Sequence, residues 1–328
     1  MKDFFCISVL LVLGALLSAS QPLEASDLFS FIPRNSACTL FLDLAEQNRR
    51  MPAVQERLEA FLESQDKELL KKNNLKIRDI CSALVISMPS LAESDGYVIV
   101  KTGLPEKRFR ELLRENTVPD VTSRTGKFND REFYEISFRS VRVSGGKTKV
   151  KIRTFALMYL APDIVVLAKD SVAPYFREPR GLAQNMLKLV KVPGAFASGY
   201  AVADDSFLAD NPFLPPSRLN SFSASFGVRE DIVLKSEFRT ASPQDANRTM
   251  LLLQQYLCLA GLFLNNENPV LMQELANSFK VQCSGLNVTM NGSLSKEFFV
   301  LLGNSASTIQ SRLEQPAAAP GVQTRTQP

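Results

Sequence analysis

Not one of the 328 residues is a histidine. That absence removes Ser-His-Asp and Cys-His catalysis, His-ligated zinc, and the side chain that most often acts as a general base near neutral pH. An enzyme built on this chain would have to use carboxylates, lysine, tyrosine or a Ser-Lys pair. Tryptophan is missing too, which thins the platforms for stacking sugar rings, although 22 Phe and 6 Tyr remain. Cysteine is sparse at five, of which Cys6 lies in the leading apolar run. No charge of either sign dominates. Residues 26–180 hold 26 Lys and Arg against 21 Asp and Glu, and residues 181–328 hold 11 against 11. So mild a basic bias, without a concentrated patch of the right kind, predicts no specific nucleic-acid partner.

Long hydrophobic runs are also scarce. The first, Phe4 to Leu17, follows Lys2 and ends in Ser18-Ala19-Ser20, the layout of a secretory signal peptide over residues 1–20 with cleavage before Gln21. An uncleaved anchor is the alternative, but the run is short for a span of about 20 apolar residues. The next most apolar stretch, Met250 to Leu264, is broken by Gln254 and Gln255, so no transmembrane span is expected after signal removal. The predicted location is therefore the periplasm or the medium. In an oxidising compartment Cys38, Cys81, Cys258 and Cys283 allow three full pairings. Cys38–Cys81 is favoured because both open predicted strands, and Cys258–Cys283 is feasible; four free thiols are the equal alternative.

Hydrophobic content of 45% and charged content of 22% fit a folded chain. Strands are predicted at 38–44, 81–88, 96–101, 133–138, 148–160, 164–168, 195–203, 221–228, 231–239 and, as a hairpin, 280–293. Helices are predicted from Pro52, after Pro105 with Phe109, Leu112 and Leu113 on one face, over two segments parted near Asn265–Asn268, and from Lys296 to Leu313. Ser242-Pro243-Gln244-Asp245 reads as a capping box with proline at the first helical position. Helices that alternate with strands joined by tight hairpins predict an α+β fold of antiparallel sheets with packed helices. Tyr97–Lys101 with its following turn and helix echoes Ile232–Lys235 with its own, so two degenerate repeats of one strand-helix unit are expected: 21–180 and 181–314, before a disordered tail at 315–328. One continuous sheet with coincidental similarity is the alternative. The lead-in from Ile32-Pro33 through Cys38-Thr-Leu-Phe-Leu-Asp43 resembles the start of uncharacterised secreted bacterial proteins. In those, a short Ile/Val-Pro segment precedes a strand ending in Asp and an amphipathic helix. The resemblance implies an exported α+β protein and carries no functional residues across.

Chemistry-bearing motifs are weak. Ser-x-x-Lys occurs at Ser64/Lys67, Ser144/Lys147 and Ser293/Lys296, and Lys101-Thr102-Gly103 matches the late triplet of Ser-Lys acyl-transfer enzymes. The order is reversed relative to those enzymes. Gly146-Lys147-Thr148 lacks the first glycine of a phosphate loop, because residue 141 is Val. Asp204, Asp205 and Asp210 form a carboxylate cluster at no recognised calcium spacing. Asn247, Asn287 and Asn291 open glycosylation sequons. The strongest local feature is Arg139 to Arg153, with Arg139, Arg142, Lys147, Lys149, Lys151 and Arg153 and no acid. Lys149-Val-Lys-Ile-Arg153 alternates, so one strand face is basic while Val150 and Ile152 are expected to pack inward. Such a face suits an anionic glycan, a lipid head group or an envelope protein; a charged sheet edge that resists strand addition is the plainer use. The expectation is an exported binding or structural protein, with no cofactor and no metal. The rival is an extracytoplasmic hydrolase working through carboxylates or a Ser-Lys pair.

Overall fold

The computed structural model describes residues 25–50, 81–89, 96–115, 121–144, 147–202, 219–228, 230–267 and 269–298. The expected signal peptide, the helix from Pro52, the loop holding Asp204, Asp205 and Asp210, most of the closing helix and the tail lie outside them. The strands are β1 (Cys38–Asp43), β2 (Cys81–Met88), β3 (Tyr97–Thr102), β4 (Val121–Phe128), β5 (Arg131–Ser144), β6 (Lys147–Ala161), β7 (Ile164–Lys169), β8 (Ala195–Val202), β9 (Leu219–Val228), β10 (Ile232–Thr240), β11 (Phe279–Ser284) and β12 (Asn287–Leu294). The helices are α1 (Leu44–Arg50), α2 (Glu106–Glu115), α3 (Ala173–Arg177), α4 (Gln184–Val190), α5 (Pro243–Glu267) and α6 (Pro269–Ser278), preceded by a 3-10 turn, Ala25–Phe31.

All twelve strands join one antiparallel sheet in the order β11-β12-β10-β9-β8-β1-β2-β3-β7-β6-β5-β4. The fold is α+β. β1 lies in the middle and pairs with β2 on one side and β8 on the other. The β1·β8 seam is tight. Gly199 sits opposite Leu40, and a methyl group there would come within 2.5 Å of the Thr39 carbonyl oxygen. Buried hydroxyls fix the register beside it: Tyr200 donates to the Ser36 carbonyl at 2.9 Å, and Ser198 donates to the Val190 carbonyl.

The sheet's two faces are covered unequally, and the sequence pattern of each strand follows the cover. On the front face, Phe41, Val85, Ile99, Val166 and Met158 pack under Leu28, Phe29 and Ile32 and under the strap of Val172, Tyr175, Leu182 and Val190. The lead-in is stitched to that strap. Tyr175 donates its hydroxyl to the Phe31 carbonyl at 2.6 Å, and the Gly181 N–H donates to the Ile32 carbonyl at 2.8 Å. On the back face Phe109 of α2 meets the rings of Tyr134 and Tyr159, with centroids 5.2 and 6.1 Å away. β3 lies between both layers and is buried at every position, hence its unbroken Tyr-Val-Ile-Val run. In β10 the alternation returns: Lys235, Glu237 and Arg239 are exposed on the front, while Ser236 and Thr240 are buried on the back. By register Ser221, Ser223 and Ser225 share that front face with Asn287, Thr289 and Asn291.

Local chemistry sets the element ends. Asp43 closes β1 and caps α1 by accepting the Glu46 N–H at 2.8 Å. Ser242 accepts the Asp245 N–H at 3.1 Å and donates to the Asp245 carboxylate at 2.6 Å, the expected capping box. β4 was not expected from sequence; it pairs with β5 through Asn129-Asp130, both left-handed at φ 47° and 61°.

Candidate anion-binding surface

β5 and β6 are the longest strands, at 14 and 15 residues, and they outrun both neighbours. Pairing from β4 stops at Val121 opposite Phe138, and pairing from β7 stops at Lys169 opposite Phe155. Beyond those rungs, among the described residues, Arg139–Ser144 pair only with Lys147–Ile152, as a two-stranded ribbon. Its register is unbroken, which settles the faces. Arg142, Lys147, Lys149, Lys151 and Arg153 fall on the back face, and Arg139 falls on the front. Arg142 is the register partner of Lys149. The inward packing expected of Ile152 does not occur: it is 67% exposed, with no layer over it among the described residues.

At the ribbon's base, α2 and β4 wall a cleft of about 520 Å³ lined by Arg110, Arg114, Ser123, Thr125, Glu132 and Tyr134 among others. Arg110 is held firmly. Its Nη2 pairs with Glu132 at 2.8 Å and with Glu106 at 3.4 Å, and its Nε donates to the Tyr134 hydroxyl at 3.2 Å. Tyr134 in turn donates to Glu106 at 2.9 Å. Burial first, and then the Glu106 carboxylate, push the Tyr134 phenol up to about 12. A phenol so raised is a structural donor rather than a nucleophile. Arg114, one turn further along α2, is exposed and makes no ion pair among the described residues. Sequence reading missed this cleft. Arg110 and Arg114 show an i, i+4 spacing, but without β4 there was no second wall.

The remaining motifs do not converge. Lys101 is 1% exposed within the sheet, and the Thr102 hydroxyl accepts the Leu104 N–H at 3.0 Å. Ser293, on β12, donates to Asp231 at 3.3 Å. β12 and β3 are six strand positions apart, about 29 Å at the usual ~4.8 Å spacing. Ser144 and Lys147 face each other at the ribbon tip. Ser64 and Lys67 lie outside the described residues. Among those residues no cluster of three metal-ligating side chains occurs.

The expected disulfides are not formed; all four cysteines are free. Cys38 and Cys81 do open neighbouring strands, but the strands are antiparallel, so their starts lie at opposite ends. Cys38 is level with Met88, and Cys81 is level with Thr102 of β3 beyond the last β1·β2 rung. Burial pushes the Cys38 thiol up to about 11 and that of Cys81 up to about 12. Cys258 is exposed on α5, and Cys283 is half-buried on β11.

No protein-family model matches the chain, and no curated protein matches it. A solved structure titled "Structure of crystal form I of TP0453" is similar at 11% identity and a TM-score of 0.46, covering 88% of this chain and 98% of that one.

Proposed function

We propose that this is an exported, non-enzymatic binding protein that meets anionic partners through the β5–β6 ribbon. The observation that carries the reading is the ribbon itself. Among the described residues it extends beyond the pairing of both neighbouring strands, with five of its six cation positions on one face by register and no acid between Arg139 and Arg153. Rungs repeat every two residues, about 7 Å along a strand, so the face presents a row of charges rather than a point. Such a row attracts polyanions through a salt-screened field, and Arg142 and Arg153 add bidentate geometry. The test replaces Lys149, Lys151 and Arg153 together by Gln. Wild type should be retained by immobilised sulfated glycan or by anionic liposomes at low salt and released at high salt. The variant should lose retention while its melting temperature stays close to that of wild type. Equal retention of the two would return the ribbon to the role of a charged strand extension.

Export rests on the 1–20 signal pattern. Mass spectrometry of protein from the native envelope or medium should find an amino terminus at or near Gln21; a retained Met1 in every molecule would count against it. Duplication, with halves 21–180 and 181–314, is part of the same reading. β1-β2-β3 then α2 and β7 is matched in strand order by β8-β9-β10 then α5, α6 and β12, mirrored about the β1·β8 seam. The first half then carries β4 and β5 as an added hairpin, so that Arg142 belongs to the addition while Lys147, Lys149, Lys151 and Arg153 lie on β6, a strand of the shared unit. An experimental structure in which β8–β12 fails to superpose on β1, β2, β3, β6 and β7 would refute it.

A further inference from the structure

A further cavity, of about 250 Å³, opens on the front face of β8, β9 and β10 and is walled on one side by α4. From its two opposite charges, its hydroxyls and its apolar wall, we infer that it binds a free α-amino acid with an aliphatic side chain. The site shares no residue with the ribbon or the α2–β4 cleft, so it stands or falls apart from the anion-binding reading.

Two rungs of the sheet build its floor. Tyr200, Ser223 and Glu237 lie level across β8, β9 and β10, and Val202, Ser221 and Arg239 lie level on the next rung of the same face. All six line the cavity. Glu237 and Arg239 are exposed and stand two residues apart on one strand face, about 7 Å. Among the described residues neither forms an ion pair. Each has a serine level with it on β9, so each end of the floor offers a charge together with a hydroxyl. Tyr200 contributes its ring alone, because its hydroxyl donates to the Ser36 carbonyl at 2.9 Å. Beside the floor Met186 and Leu189, one turn apart on α4, pack partly against the core and line the cavity with the rest of their surface. Val202, at 38% exposed, adds apolar surface at the rim.

These groups select the occupant by charge. A plain anion would satisfy Arg239 and be repelled by Glu237, and a plain cation would do the reverse. A zwitterion satisfies both. Its carboxylate accepts from Arg239 and Ser221, and its ammonium donates to Glu237 and Ser223. In a free amino acid the two charged groups sit on one carbon, whereas in a peptide at least one ~3.8 Å step parts its ends. Size agrees. The cavity holds about eight waters at their liquid volume, and it falls below the roughly 300–1,000 Å³ of pockets for drug-sized ligands. An aliphatic side chain would cover the exposed parts of Met186, Leu189 and Val202. A neutral sugar would meet the hydroxyls but bring no charge to either end and no apolar group to α4.

The experiment is calorimetric titration of the full mature chain with leucine, methionine, glycine, N-acetyl-leucine, leucinamide and leucyl-leucine. Leucine and methionine should bind one to one. Glycine, with no side chain to cover the apolar wall, should bind about 10-fold more weakly. N-acetyl-leucine lacks the ammonium and leucinamide lacks the carboxylate, and each should bind about 10-fold more weakly than leucine. Glu237→Gln should erase the preference for leucine over N-acetyl-leucine and keep the preference over leucinamide. Arg239→Gln should do the converse. Each preference is a ratio measured within one protein, so a partly unfolded variant cannot imitate this exchange. Lys235→Gln, exposed on the same strand face one rung outside the cavity, should match wild type throughout. Wild type that takes up neither leucine nor methionine at about 10 mM overturns the assignment. So does tighter binding of leucyl-leucine than of leucine, or a pair of preferences that both variants leave unchanged.

Discussion

At Gly199 the close approach is to backbone. An added methyl would meet the Thr39 carbonyl at 2.5 Å and the Leu40 Cα at 3.2 Å, and neither atom can swing away as a side chain would. Gly199→Ala should therefore cost roughly 1–3 kcal/mol, read as a lower midpoint in urea unfolding. Gly126 and Gly292 are different, since each lies under a phenylalanine ring, Phe133 and Phe279, that can rotate aside. Alanine there should cost less than at Gly199, and an equal loss at all three would contradict this account. The thiols give a second residue-scale expectation. Cys258, exposed, should react with a disulfide reagent at once; Cys81, wholly buried with its thiol pushed up to about 12, should react only after unfolding. Time-resolved labelling with peptide mapping distinguishes them. That Cys38 and Cys81 begin strands was legible in the β-branched and apolar runs around them. That those strands run in opposite directions was not, because pairing direction is set by contacts distant in sequence.

Elements whose signal is local were the readable ones. Ser242-Pro243-Gln244-Asp245 starts α5 by hydrogen bonds contained within four residues, and Ser242→Ala should cost about 1 kcal/mol by thermal unfolding. α2 was readable from Phe109 and Leu112, both buried on one face after Pro105. The alternation of cations in β6 was readable as well, and so the ribbon was half visible before its pairing was known. β4 was not readable. Val-Thr-Ser-Arg-Thr-Gly-Lys-Phe has no apolar face, because an edge strand with little covering it needs none; its existence depends on β5 offering a partner. α3 and α4 escaped for a related reason, being short segments ordered by the sheet they cross. The cleft at Arg110 and Arg114 was lost with β4.

Across the whole molecule, the one continuous sheet makes each half dependent on the other. Fragments 21–180 and 181–328, made separately, would expose the inner edges of β1 and β8. Each should self-associate alone, and mixing should restore a soluble one-to-one complex by size-exclusion chromatography. Two fragments that both stay monomeric and fail to combine would contradict a shared core. Alkaline pH should also loosen the fold. Burial raises the phenols of Tyr134, Tyr159, Tyr175 and Tyr200 above the ordinary value of 10.0. Because the unfolded phenols ionise first, their contribution is complete below pH 10 and is lost as pH rises toward the folded values, about 12 for Tyr134. Melting temperature should fall progressively above pH 10, and a flat profile to pH 12 would argue against these rings being sealed. The seam has a further consequence, in time rather than in energy. Cys38 of β1 pairs with Ala201, 163 residues later, so the strand at the middle of the sheet waits for most of the chain before its second side is closed. Contact order that high slows folding, and until β8 arrives a hydrophobic strand stands open at the centre of the molecule. A chain built this way needs shelter on its journey more than it needs it on arrival.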